Sequence, residues 1–184
     1  MHVITQLLRR EVVDQIILFP AGQPRLREHS PIATGPQRRQ MCELAVHDLP
    51  ADISSRVEVN PIEILREGPS YTIDTLRSFG DQFPGAQFFL LIGEDQGKAL
   101  ATWHEIGEIA QRAIICVADR EMSELSDSAA PSHDIPTQAL KLPNLPHSAT
   151  QVRARVAQGQ AIDALVPPTV ALYIQSHHLY QPAR

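Results

Sequence analysis

The segment His147-Ser148-Ala149-Thr150-Gln151-Val152-Arg153 sets a helix-capping hydroxyl a short distance ahead of a guanidinium. Ser148 can cap the helix that follows, and the first-turn N–H groups of that helix have no intrahelical acceptors. Arg153, on a later turn, can bring its donor fork back toward an anion held there. This spacing is that of a phosphate clamp. A purely structural reading fits the same residues: Ser148 and Gln151 as a capping box, with Arg153 solvated on the helix surface. A second candidate is Gly93-Glu94-Asp95, directly after an apolar run. The missing side chain of Gly93 lets a nucleotide approach the backbone, and Asp95 offers a carboxylate to a ribose or a metal-bound phosphate. A strand-end turn would use the same residue types.

The elements that must position these groups alternate along the chain. Residues Val3 to Val12 have a helical pattern, and Ile16-Ile17-Leu18-Phe19 is a continuous apolar run suited to a strand covered on both faces. A proline- and charge-rich loop from Gln23 to Gly35 leads to a helix carrying Met41, Leu44 and Ala45, with Pro36 in its first turn. Arg56-Val57-Glu58-Val59 alternates like an edge strand, and Thr72 to Phe79 reads as a helix entered through Gly68-Pro69-Ser70. The rhythm repeats with a strand at Phe88 to Ile92, a helix at Ile106 to Arg112 and a strand at Ala113 to Val117. Such alternation predicts an α/β fold built from βαβ units around a parallel sheet. Residues 123–146, rich in Ser, Asp and Pro, read as a variable connection. Helices then follow over Ser148 to Gln158, closed by Gly159, and over Pro168 to Ser176, forming a C-terminal helical segment.

Composition narrows the function. The 184 residues suit one domain spanning 1–184, and 43% hydrophobic content can fill a core. A formal charge of -5 without a long basic block argues against a dedicated nucleic-acid binder. The apolar runs are strand-sized, which argues against a membrane span. Cys42 and Cys116, the two cysteines, make neither a disulfide framework nor a zinc site, and a reducing cytoplasm is the expected compartment. No metal-ligating cluster is predicted.

The order of motifs resembles the bacterial nicotinate mononucleotide adenylyltransferases, within the nucleotidyltransferase group. The resemblance is carried by Phe19-Pro20-Ala21-Gly22-Gln23-Pro24, Gly68-Pro69-Ser70-Tyr71-Thr72-Ile73-Asp74-Thr75-Leu76, Ile92-Gly93-Glu94-Asp95 and Thr102-Trp103-His104. The Ser148 to Arg153 clamp and the ending Tyr173-Ile174 to Leu179-Tyr180 complete it. It implies a Rossmann-like parallel sheet and transfer of the AMP part of ATP to nicotinate mononucleotide, giving nicotinate adenine dinucleotide and pyrophosphate in NAD biosynthesis. ATP would be the co-substrate, accompanied by Mg2+. The same resemblance assigns Ser70, Tyr71, Thr72, Trp103 and His104 to the mononucleotide, and Gly93, Asp95, Ser148, Thr150 and Arg153 to ATP. Backbone amides at the helix start near Thr72 would receive the nicotinate carboxylate. Trp103, the sole tryptophan, would stack on the pyridine ring; on residue type alone it reads as a packing residue.

The chain also departs from that family. Pro24-Arg25-Leu26-Arg27 stands where a Pro-Pro-His-Lys-like loop is usual, and Val117-Ala118-Asp119-Arg120 where Arg-Pro-Gly is common. His147 replaces an aliphatic residue. The family's Gly-Gly-x-Phe-x-Pro-x-His-x-Gly-His motif is absent from this sequence, so the catalytic histidines have no counterpart here; His2 reads as an ordinary terminal residue. The expectation is a nucleotidyltransferase-like domain incomplete at its N-terminus. A nucleotide-binding remnant without turnover, or an adenylyltransferase for another phosphorylated substrate, are the alternatives.

Overall fold

The computed structural model describes residues 1–22, 33–119, 135–141 and 148–182. The chain divides into two compact units, Met1–Ser70 with His147–Arg184, and Tyr71–Pro146.

In the first unit, helix α1 (His2–Arg9) buries Ile4 and Leu8, four residues apart on one face, against Ile53. Ile53 lies on the short helix α3 (Ala51–Ser54). The chain leaves α1 through Glu11, whose φ of 55° stops the helix. Strand β1 (Ile16–Leu18) then pairs in parallel with β2 (Val57–Val59), with Ile16 opposite Val57. Arg56 fixes the entry to that pair by donating to the Asp14 carbonyl at 2.7 Å, Val13 at 2.8 Å and Leu8 at 3.2 Å. Both strands are half-buried, so the full cover expected over Ile16 to Phe19 is not what the structure displays.

Helix α2 (Gly35–His47) begins with a complete capping box between Thr34 and Gln37, and Pro36 occupies its first turn as its spacing predicted. Its Met41, Leu44 and Ala45 pack on a cluster of Val152, Ile162, Val170, Ala171, Ile174 and Leu179. That cluster belongs to helices α8 (Ala149–Ala157) and α9 (Pro168–Ser176) and the segments that follow them. Asp48 substitutes for a local cap on α9: its Oδ2 accepts from Thr169 N at 3.2 Å and Thr169 Oγ1 at 2.8 Å. The short helix α4 (Ile62–Leu65) lies between β2 and the end of this stretch.

Among the described residues, the second unit is a three-stranded parallel sheet with helices. Helix α5 (Thr72–Gln82) buries Ile73, Leu76 and Phe79 at a three-residue spacing. Strand β3 (Phe88–Gly93) pairs with β4 (Ala113–Asp119), and β4 with β5 (Thr137–Lys141), in the order β3-β4-β5. Between β3 and β4 run helix α6 (Glu94–Lys98), a 3-10 turn over Leu100–Thr102 and helix α7 (Ile106–Arg112). Ile73, Leu100, Ile109 and Ile115, each 1% exposed or less, make the centre of the core, and burial of each such side chain contributes about 1.5–3 kcal/mol. β5 lies inside the range 123–146 that composition suggested was a connection; residues 120–134 and 142–147 are outside the described set. Among the described residues β3 is an edge of its sheet, and it carries Phe89 and Leu91, 42% and 40% exposed.

Candidate functional site

The residues expected to form the site are divided between the two units. In the second unit, Tyr71 precedes α5 as its N-cap residue in extended conformation and supplies no side-chain cap. This contrasts with α2 and α8, whose starts are capped by the hydroxyls of Thr34 and Ser148. The first turn of α5, beginning at Thr72, therefore presents backbone donors without a capping hydroxyl. His104 comes to this place from the turn after Trp103: its ring centroid lies 4.4 Å from that of Tyr71, tilted by 37°. Trp103, half-buried, packs against the same core as Tyr71, and its indole Nε1 is buried without an acceptor among the described residues. Tyr71, Trp103 and His104, expected to act together, are thus brought together; Ser70 closes the other unit, its Oγ donating to the Glu63 carbonyl at 2.9 Å.

Beside this aromatic pair is an ionic network that the motif reading did not anticipate. Arg77 on α5 donates through Nε to Glu108 Oε1 at 3.0 Å and through Nη2 to Glu108 Oε2 and to Glu105 Oε2. Arg112 adds a 2.6 Å bond to Glu108. Hydrogen bonds from Arg77 and then Arg112 hold the Glu108 carboxyl down at about 2, and Glu108 and Glu105 hold the Arg77 guanidinium above its usual value. Asp74–Arg77 and Glu108–Arg112 are helix-spaced pairs visible in the sequence, whereas the link from α5 to Glu105 and Glu108 depends on packing.

Gly93 ends β3 and caps α6, and a Cβ placed there would meet nothing within 4 Å among the described residues. The packing of the described residues therefore leaves room at Gly93. Asp95, in the first turn of α6, is exposed.

In the first unit, Ser148 caps α8, its Oγ accepting from Gln151 N at 3.1 Å. Arg153 Nη2 donates to Thr150 Oγ1 at 3.0 Å, so the two expected ATP residues share one face of the helix. Burial pushes the Tyr180 phenol up, while the guanidinium charges of Arg153 and Arg38 pull it down, which marks a positive region around that hydroxyl. Arg38 also donates to the carbonyls of Ala21, Gly22 at 3.0 Å and Ala33, bracing the residues on either side of 23–32. His147, Pro24 to Arg27 and Arg120 lie outside the described residues. Among the described residues, no cluster of three His, Cys, Asp or Glu side chains could hold a metal ion.

No protein-family model matches the chain. A protein of Albidiferax ferrireducens named "Probable nicotinate-nucleotide adenylyltransferase" is 42% identical over 177 residues, covering 93% of this chain and 85% of that protein. The chain belongs to the nicotinate-nucleotide adenylyltransferase family. A relative of the same name from Synechococcus sp. (strain JA-3-3Ab) is 35% identical over 175 residues, with 91% and 81% of the two chains covered. Among solved structures, the Plasmodium falciparum nicotinic acid mononucleotide adenylyltransferase complexed with NaAD superposes with a TM-score of 0.77 at 16% identity, over 97% of this chain and 88% of that one. The same enzyme complexed with APC gives 0.73. At that identity the likeness establishes the fold and bears out the Rossmann-like α/β class, while the 42% identical relative bears out the family that the motif order predicted. Among the described residues of this nicotinate-nucleotide adenylyltransferase family member, no helix is long and apolar enough to cross a membrane.

Proposed function

We propose that the chain transfers the adenylyl group of ATP to nicotinate mononucleotide, forming nicotinate adenine dinucleotide and pyrophosphate in NAD biosynthesis. The observation that carries the acceptor assignment is the start of α5, without a side-chain cap and beside the tilted Tyr71–His104 ring pair. Amides at Thr72 and the next residue match a carboxylate, and the aromatic pair with Trp103 suits a pyridine ring. Gly93, Asp95, Ser148, Thr150 and Arg153 are assigned to ATP. Free thiols at Cys42 and Cys116 fit a cytoplasmic setting.

An oxygen of the mononucleotide phosphate attacks the α-phosphorus of ATP, and the bond from that phosphorus to the bridging oxygen of pyrophosphate breaks. The protein supplies positioning and charge stabilisation rather than a nucleophile. Arg153 neutralises phosphate charge with its fork, and the unfilled space at Gly93 admits the nucleotide to the backbone. With no protein cluster for a metal among the described residues, Mg2+ is assigned to the triphosphate, whose charge it neutralises when bound.

ATP labelled separately at its α- and γ-phosphates tests the reaction: the α-label passes into the dinucleotide and the γ-label leaves in pyrophosphate. Release of the γ-label as orthophosphate rejects adenylyl transfer. The second reading is ATP binding without turnover. Saturable ATP binding with no label in the dinucleotide would select it.

A further inference from the structure

Glu105 adopts φ 52° and ψ 40°, the left-handed region that glycine and asparagine enter far more readily than glutamate. A turn that needed only this backbone shape would be served at lower conformational cost by glycine. What glutamate adds is a carboxylate that reaches in two directions. Its Oε1 lies 2.9 Å from His104 Nε2, and its Oε2 accepts from Arg77 Nη2. Arg77 is in turn gripped by both oxygens of Glu108 and faces Asp74 at 3.7 Å.

We propose that Glu105 is a positioning residue for the mononucleotide site, holding the His104 ring against Tyr71 while Arg77 holds Glu105. The inference rests on the functional reading above. The contacts close a ring: from Tyr71 at the start of α5 across the ring pair to His104, through the carboxylate of Glu105, and back to α5 at Arg77. The aromatic wall is thereby tied to the same helix whose first-turn amides receive the carboxylate. The His104 side chain is 49% exposed, so packing alone leaves its ring free to choose other rotamers. The Glu105 carboxylate, 2.9 Å from Nε2, favours the one that sets the ring against Tyr71. Preorganising the wall lowers the ordering cost of binding and leaves the in-line transfer itself untouched.

The test compares Glu105→Gly, Glu105→Asn and Glu105→Gln. Glycine and asparagine suit the left-handed backbone, so these variants stay folded with thermal midpoints close to that of the parent. In both, the His104 ring protons lose the ring-current shift imposed by Tyr71 in the NMR spectrum. KM for nicotinate mononucleotide rises about tenfold, while kcat and the KM for ATP stay within about twofold. Glu105→Gln keeps the reach and a hydrogen-bonding head for both neighbours, and it restores the ring shift and most of the KM. A parental ring shift or parental KM in the glycine and asparagine variants overturns the proposal, as does a glutamine variant no better than glycine. Absence of turnover in the unsubstituted chain rejects the functional reading instead, and the ring-shift comparison then decides by itself whether Glu105 holds His104.

Discussion

A Cβ placed on Gly22 would lie 2.0 Å from the carbonyl oxygen of Glu63, and only 2.9 Å from Ser70 Oγ. The Phe19 to Gly22 turn and the Gly68 to Ser70 turn, which the sequence shows as separate motifs, meet at this point because Gly22 has no side chain. Backbone cannot yield as a flexible side chain does, so Gly22→Ala is expected to destabilise the protein by about 1–3 kcal/mol in urea unfolding. A change indistinguishable from zero would mean that the turn relaxes away from Glu63 freely.

The Glu108 carboxyl, held at about 2 by Arg77 and Arg112, gives a signed pH dependence. Its folded value lies below the ordinary 4.5, so the stabilisation is complete above that value and is lost as pH falls from about 4.5 toward 2. Thermal midpoints measured across that window should fall more steeply in the parent than in Glu108→Gln. Parallel curves would show that the Arg77 network contributes nothing to folding.

Arg153→Ala should weaken the use of ATP by roughly 1.5–3 kcal/mol in kcat/KM if its charge-assisted bond to phosphate is made. Stability should change little, because the side chain's hydrogen bond runs to Thr150 on the same helix surface. An unaltered ATP dependence in the folded variant would remove Arg153 from the clamp and leave Ser148 as a helix cap alone.

The sequence disclosed elements where spacing and punctuation agreed. α7 and α9 have the bounds read for them, Ile106–Arg112 and Pro168–Ser176, and the capping role of Ser148 followed from Gln151 at the right distance. β5 escaped because Thr137-Gln138-Ala139-Leu140-Lys141 has one large apolar residue and sits among prolines; its strand conformation comes from pairing with β4, a long-range contact that no local pattern encodes. The four-residue helices α3 and α4 were missed although Pro50 and Pro61 stand at their starts, since one turn carries too little periodicity to register. At the site, Tyr71, Trp103 and His104 were legible as motif residues. Glu105 was not, because its left-handed backbone and its bond to Arg77, distant in sequence, arise only from how α5 packs on α7.

The most direct test of acid-specific adenylyl transfer is the ratio of kcat/KM for nicotinate mononucleotide to that for nicotinamide mononucleotide, with ATP and magnesium present and the dinucleotide products identified. The amide lacks the charge that the first turn of α5 is matched to bind, so the account predicts nicotinate adenine dinucleotide as the main product and a ratio of about ten or more. Equal efficiencies for the two mononucleotides, or no dinucleotide from either, would contradict it.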